Sequence, residues 1–239
     1  MTVGKIPQEL TKERALRAWR NATRQRLIAA REALPAAVHA RFSVGIERHL
    51  EALLQKLAPR VIGFCWPFRA EFDCRPLVSR LLEKQARAAL PVVISPDQPL
   101  IFREWRPASR MSEDRYGIHF PTEGAPLHPD LILMPLNAFD EAGYRLGYGS
   151  GYFDRTLAAL VPRPLAVGVG FELARLESIY PQAHDLPMDY VVTETGVKVC
   201  GVFVIKQTGQ QFEGCTPEIP KEAAQKAIVK AWGDVKDEG

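Results

Sequence analysis

An apolar run, Leu131-Ile132-Leu133-Met134, passes Pro135 and opens onto a loop holding Gly143, Gly147, Gly149 and Gly151. The loop then enters Thr156-Leu157-Ala158-Ala159-Leu160, which reads as a helix. Strand, glycine loop and helix in that order restrict the fold, and the rest of the chain repeats the alternation. Residues 11 to 33 place Leu16, Trp19, Thr23, Leu27 and Ala30 at helical spacing, with Leu34 just beyond. Residues 36 to 57 do the same with Val38, Phe42, Ile46, Leu50, Leu53 and Leu57, and Pro35 suits the first turn of that helix. Arg60 to Phe64 reads as a buried strand, Pro76 to Ala89 as a helix and Leu90 to Ile94 as the next strand. Leu131 to Met134, Leu165 to Val169, Tyr190 to Thr193 and Val197 to Ile205 complete the strand candidates. The alternation predicts an α/β fold of three layers, a mostly parallel, Rossmann-like sheet with helices on both faces. Ligands of such sheets sit at the carboxyl ends of the strands, where the glycine loop lies.

The loop has its own chemistry. Glycine turns through positive φ and lets amide N–H groups approach a ligand. Such amides feeding a helix N-terminus favour an anion, because the first helical N–H groups lack partners and the dipole is positive there. Arg145 adds a planar cation whose fork fits phosphate oxygens. Asp154 offers a hard oxygen beside that anion, which suits Mg²⁺. Spacing alone leaves the matter open. Gly147-x-Gly149-x-Gly151 is neither the dinucleotide fingerprint nor a P-loop, and a purely structural glycine turn stands equally with phosphate binding.

The longer string decides more. Arg145-Leu146-Gly147-Tyr148-Gly149-Ser150-Gly151-Tyr152-Phe153-Asp154-Arg155, preceded by Phe139-Asp140 and Gly143, resembles the signature of the 5-formyltetrahydrofolate cyclo-ligase family. The resemblance extends in order from about residue 20 to about residue 203. It takes in Gly63-Phe64-Cys65-Trp66-Pro67 with Glu71-Phe72-Asp73, Leu90-Pro91-Val92-Val93, Tyr116-Gly117-Ile118 to Pro121, and His184-Asp185-Leu186-Pro187-Met188-Asp189 with Val191-Val192-Thr193-Glu194. It implies ATP- and Mg²⁺-dependent closure of 5-formyltetrahydrofolate, polyglutamylated or not, to 5,10-methenyltetrahydrofolate, with release of ADP and phosphate.

Site residues follow from that resemblance position by position. Arg20 and Arg24 share a helix face, which by itself reads as a solvated basic stripe. The resemblance assigns both to the nucleotide phosphates, with Arg20 standing where Lys is usual. It assigns Arg145, Leu146, Gly147, Tyr148, Gly149, Ser150, Gly151, Tyr152 and Phe153 to the nucleotide loop, with Arg145 catalytic. Tyr148 and Ser150 depart from the residues of many relatives. Glu71, otherwise a surface-loop carboxylate, becomes the acceptor for a pterin ring, with Trp66 and Tyr152 beside the folate. Trp66 and Phe68 equally suit a core, and Phe153 reads as core by its side chain. Asp154, otherwise a helix-end anion, and Asp189, otherwise a cap before a strand, become Mg²⁺ ligands. Asp185, four residues before Asp189, reads as their supporting neighbour, and His184, a lone histidine, as a structural or surface residue.

Composition sets the boundaries. The 239 residues suffice for one core domain, read as 13–206, with a flexible N-terminus at 1–12 and a polar tail at 207–239 carrying a candidate helix from Lys221 to Trp232. A formal charge of +3 makes no case for nucleic acid. No apolar run approaches the ~20 residues of a membrane span, and residues 1 to 12 lack a secretory pattern. Cys65, Cys74, Cys200 and Cys215 show no zinc spacing and read as reduced thiols of a cytoplasmic monomer. Two further readings remain: a non-catalytic binder of folate or nucleotide, and a small-molecule kinase with the same ATP grip.

Overall fold

In a computed structural model, residues 8–200 are described. The expected tail at 207–239, its candidate helix and residues 1–7 lie outside the described residues. The helices are α1 (Gln8–Glu32), α2 (Ala36–Leu57), α3 (Arg75–Glu83) and α4 (Tyr152–Ala159). Eight strands form the central sheet: β1 (Val61–Gly63), β2 (Arg87–Val92), β3 (Ile101–Trp105), β6 (Pro126–Leu127), β7 (Leu131–Pro135), β10 (Leu165–Val169), β12 (Tyr190–Thr193) and β13 (Gly196–Val199). A hairpin of β4 (Met111–Glu113) and β5 (His119–Pro121) stands apart. So does a small sheet of β8 (Ala138–Asp140), β9 (Arg145–Leu146) and β11 (Arg175–Leu176).

The central sheet runs β13-β12-β10-β7-β1-β2-β3-β6. Strands β12, β10, β7, β1 and β2 are parallel, and β13, β3 and β6 add antiparallel edges. Counted along the chain, the parallel strands lie in the order 2-1-3-4-5. The chain leaves β1 toward β2 on one side and returns through β7 on the other, so the crevice between β1 and β7 is the switch point where such folds bind ligands.

Alternation along β7 builds both covered faces. Leu131 and Leu133 join Ile46, Leu50 and Leu54 of α2, Leu77 and Val78 of α3, and Val167 and Val169 of β10. Ile132 and Met134 join Leu157 of α4, Phe102 and Ala166 on the opposite face. A strand buried on both sides is continuously apolar, as β7 is. The third layer is therefore real, and α1 lies outside it, packing Leu27 against Ala138, Leu146 and Ile179.

Several boundaries differ from the sequence reading. Helix α1 reaches back to Gln8, so the expected flexible stretch is helical from that residue on. The helix expected to run to Ala89 stops at Glu83, where Gln85 turns through φ 70°. Ala88 and Ala89 are helix formers by propensity, yet both are buried in β2 between β1 and β3. Pairing on both sides outweighs a preference of well under 1 kcal/mol per residue. The strands between residues 101 and 127 carry too little periodicity to read.

Gly63 shows how tight the switch point is. A Cβ there would stand 2.7 Å from Phe102 Cε1 and 3.2 Å from Ile132 Cγ1. Overpacking a closed core costs roughly 1–3 kcal/mol. Gly63→Ala should lower stability by about that amount in urea unfolding, and an unchanged midpoint would contradict the packing argument.

Candidate functional site

The loop after β1 and the glycine loop meet at the carboxyl ends of β1, β7 and β10. Glu71, Cys65, Phe72 and Cys74 from the first line a small cavity with Leu133, Met134, Pro135 and Val169 from the strands. Glu71 is 9 % exposed and faces this cavity. Its Oε2 accepts a hydrogen bond from the Phe68 N–H at 3.0 Å. Its Oε1 accepts one from the Tyr148 hydroxyl at 2.5 Å. Arg31 Nη2 stands 3.7 Å from the same oxygen. Burial pushes the Glu71 carboxyl above its ordinary value, while Tyr148, Arg31 and the Phe68 amide draw it back down. The sequence reading assigned Tyr148 to the nucleotide loop, and the fold places its hydroxyl on Glu71.

The glycine loop is shaped as the sequence suggests. Gly149 has φ 103° and Gly151 φ 65°, both in the left-handed region, and Gly151 caps α4. Gly149 and Ser150 are exposed. The first N–H groups of α4 have no intrahelical partner and point toward this loop. Arg24 closes over it, with its Nε donating to the Gly147 carbonyl at 2.6 Å. A Cβ on Gly149 would meet the Arg24 guanidinium at 3.4 Å. Burial, with the neighbouring Arg20 charge, lowers the Arg24 pKa. Arg20 donates from Nη2 to Asp185 Oδ2 and to the Tyr180 carbonyl, both at 2.7 Å. Burial raises the Asp185 carboxyl, and the Arg20 hydrogen bond, the Gln182 amide and the Arg20 and His184 charges together pull it below its ordinary value.

Arg145 is buried on β9, and Nη1 lies 3.2 Å from Asp154 Oδ1 in the first turn of α4. The same Oδ1 accepts from the Leu186 N–H at 3.1 Å, while Oδ2 has only a 3.5 Å contact to Arg145 Nη2. The late motif therefore joins the loop at two points, Asp185 through Arg20 and Leu186 through Asp154. The Nε atoms of Arg20, Arg145 and Arg155 are buried without a hydrogen-bond partner. Unsatisfied buried donors are costly, and three such guanidinium groups around one loop fit an anionic ligand.

Five expected side chains take other roles. Asp189 is fully buried, with Arg163 Nη1 3.0 Å from each carboxylate oxygen and the Ala166 N–H donating to Oδ2. No exposed oxygen remains for a hydrated cation, so Asp189 leaves the metal set and anchors the start of β12 to β10. Burial raises its carboxyl despite those partners. Leu146 is 3 % exposed and belongs to the core under α1. Phe153 packs into the α4-side core, with the Arg145 guanidinium 5.6 Å from its ring. Trp66 stacks on His119 at 4.9 Å and carries the Arg75 guanidinium 4.3 Å over its ring, so its own neighbours cover it. Tyr152 packs against the same core as Phe153, with Arg155 5.0 Å over its ring.

Arg31 was missed. It lies seven residues after Arg24 on the face of α1 that carries Arg20, and that spacing was the available signal. Asn137, buried after β7 with its Nδ2 unpartnered, gave none. Among the described residues no cluster of three or more His, Cys, Asp or Glu side chains could hold a metal, and no helix is long and apolar enough to cross a membrane. Asp189→Asn should lose about 1–3 kcal/mol of stability through the weakened Arg163 pair. Its Mg²⁺ titration should match wild type, and a steeply raised Mg²⁺ requirement would return Asp189 to the metal site.

Comparison with known proteins agrees with this geometry. The family model described as the 5-formyltetrahydrofolate cyclo-ligase family matches residues 16–194. The chain is 34% identical over 138 residues to the 5-formyltetrahydrofolate cyclo-ligase of Escherichia coli, covering 54% of this chain and 75% of that protein. It is 32% identical over 183 residues to that of Mycolicibacterium smegmatis, covering 71% and 91%. A solved structure of Aquifex aeolicus 5,10-methenyltetrahydrofolate synthetase is similar with a TM-score of 0.65 at 28% identity, covering 84% of this chain and 99% of that one. The glycine loop, the acidic residue at the switch point and the late motif all fall inside the matched span, and the chain belongs to the 5-formyltetrahydrofolate cyclo-ligase family.

Proposed function

We propose that this protein closes 5-formyltetrahydrofolate to 5,10-methenyltetrahydrofolate at the expense of ATP, with Mg²⁺ as the accompanying cation. One observation carries the reading: the loop suited to phosphate and the carboxylate suited to a pterin are joined by the single Tyr148–Glu71 hydrogen bond of 2.5 Å. Two substrates bound to those groups lie side by side.

The triphosphate would rest on the amides of Gly147 to Gly151, with Arg24, Arg20 and Arg145 around it. The unpartnered Nε donors of Arg20 and Arg145 fit its oxygens. Asp154 would hold the Mg²⁺, because Oδ2 makes only a long contact and the cation commonly takes one or two carboxylates plus phosphates. When bound, the cation neutralises charge on the β- and γ-phosphates. Glu71 would accept paired N–H donors from the pterin edge and thereby orient N5 and N10.

The formyl oxygen attacks the γ-phosphoryl group, and ADP leaves. Arg24, Arg20, Arg145 and the loop amides stabilise the charge that spreads over the transferring group. N10 then attacks the activated formyl carbon and gives up its proton, and the C–O bond to phosphate breaks as the ring closes. The fixed pterin makes this step intramolecular, so proximity supplies much of the acceleration and no nucleophilic side chain is required. Every group named belongs to one chain, and a monomer suffices. The reading places the protein in the cytoplasm, where ATP is available and thiols stay reduced.

Incubation with 5-formyltetrahydrofolate and MgATP should produce methenyl absorbance with stoichiometric ADP. Ligand binding without absorbance would favour a binding protein, and ATP turnover only with another acceptor would favour a kinase. Arg145→Lys should lose most turnover although the charge remains, because lysine lacks the parallel donors. Asp154→Asn should fold with a loss of stability, ~0.3–1 kcal/mol from the helix dipole and more from the weakened pair with buried Arg145, but should need far more Mg²⁺. Wild-type Mg²⁺ dependence in that variant would remove Asp154 from the metal site.

A further inference from the structure

We propose that Arg31 is the positioning residue for Glu71, holding the carboxylate in place as a charged acceptor for the ring N–H donors of the folate. The inference rests on the folate reading of Glu71 given above. It arises from how Arg31 is held. Its Nε donates to the Arg69 carbonyl at 2.9 Å. Its Nη1 donates to the Leu136 carbonyl at 3.1 Å and to Asn137 Oδ1 at 3.2 Å. Those three acceptors fix the guanidinium plane independently of Glu71. The remaining nitrogen, Nη2, faces the Tyr148 hydroxyl at 3.3 Å and Glu71 Oε1 at 3.7 Å.

The side chains of Arg31 and Glu71 are 5% and 7% exposed, so water screens the pair weakly. The three groups on Glu71 differ in permanence. The Phe68 N–H belongs to the same loop as Glu71, and Arg31 is locked to backbone carbonyls. Tyr148 sits on the exposed glycine loop and is itself 41% exposed. A ligand that takes Oε1 displaces the tyrosine hydroxyl, and Arg31 stays beneath the carboxylate. The cation therefore keeps Glu71 oriented and ionised while its partner changes from tyrosine to pterin.

The charged and titratable groups around Glu71 are few. Arg31 approaches from α1, Tyr148 from the glycine loop, and the Cys65 and Cys74 thiols from its own loop. Strands β7 and β10 present only Leu133, Met134, Pro135 and Val169 to the cavity. Burial raises both thiols, so they remain neutral. Burial also raises Glu71, and among the described residues Arg31 is the one fixed cation that opposes it. Removing that charge raises the Glu71 pKa further. The ionised form then disappears at a higher pH, and the acid limb of folate binding must move upward.

The test compares wild type, Arg31→Gln, Arg31→Lys, Glu71→Gln and the Arg31→Gln/Glu71→Gln double variant in 5-formyltetrahydrofolate binding and kcat/KM across pH, with MgATP binding as control. Arg31→Gln should move the acid limb upward by roughly 1–3 pH units, the usual effect of losing a cation at this distance. Its affinity should recover toward wild type in base, and MgATP binding should change little. Arg31→Lys should keep the limb in place. In the Glu71→Gln background, Arg31→Gln should add little, because the two act as one unit. A pH-independent loss, or an equal penalty without Glu71, would reduce Arg31 to a structural residue and overturn the proposal. If Arg31→Gln does not fold, Arg31→Lys decides: an unmoved limb supports the proposal, and a limb shifted upward overturns it. Failure of the wild-type protein to bind 5-formyltetrahydrofolate is a separate outcome, visible before any substitution, and would overturn the folate reading itself.

Discussion

The parallel pairing of β1 with β7 is the constraint on which the rest depends. Ile62 pairs with Leu131 and Gly63 with Ile132, although the two strands are far apart in sequence. Because β2 lies on the outer side of β1, the loops after β1 and β7 diverge and leave a crevice at their carboxyl ends. One loop brings Glu71 there, and the other continues through β8 and β9 into the glycine loop. The pairing is tight because Gly63 has no Cβ, which lets the Phe102 ring lie against the strand. A larger residue would push apart the two segments that must face each other.

Helix α1 closes the crevice from outside the sheet. Leu27 seats it on the small β8–β9–β11 sheet, and its polar face then lies against the loops. Arg20, Arg24 and Arg31 reach Asp185, the Gly147 carbonyl, and the Leu136, Asn137 and Arg69 acceptors in turn. These cations are structural ties in the form described, and several have donors left over.

The alternation of strand and helix was legible because a doubly buried strand such as β7 is apolar at every position. The limits of α2, β10 and β12 were legible for similar reasons. The end of α3 was not. Ala86, Ala88 and Ala89 favour helix locally, and only pairing with β1 and β3 makes them a strand. The glycine loop and Asp154 were read from their local chemistry and Arg24 through resemblance, and the fold places them together. The place of Glu71 in the family came through resemblance, since a single acidic residue has no periodicity. Asp189 was misjudged because a carboxylate before a strand looks the same whether it faces solvent or an arginine. Trp66 was misjudged in the same way, since a sequence does not show that His119 and Arg75 cover an indole.

The sequence by itself determined the α/β class, the position of the glycine loop and the basic face of the first helix. Those features depend on periodicity and on glycine and proline chemistry, which act over a few residues. Only the tertiary structure decided which charges meet. Arg31 and Glu71 are separated by forty residues, and Tyr148 lies further on, yet all three converge within one hydrogen-bonded group. Long-range pairing of β1 with β7 produces that convergence, and no local pattern records the distance between residues joined through a sheet.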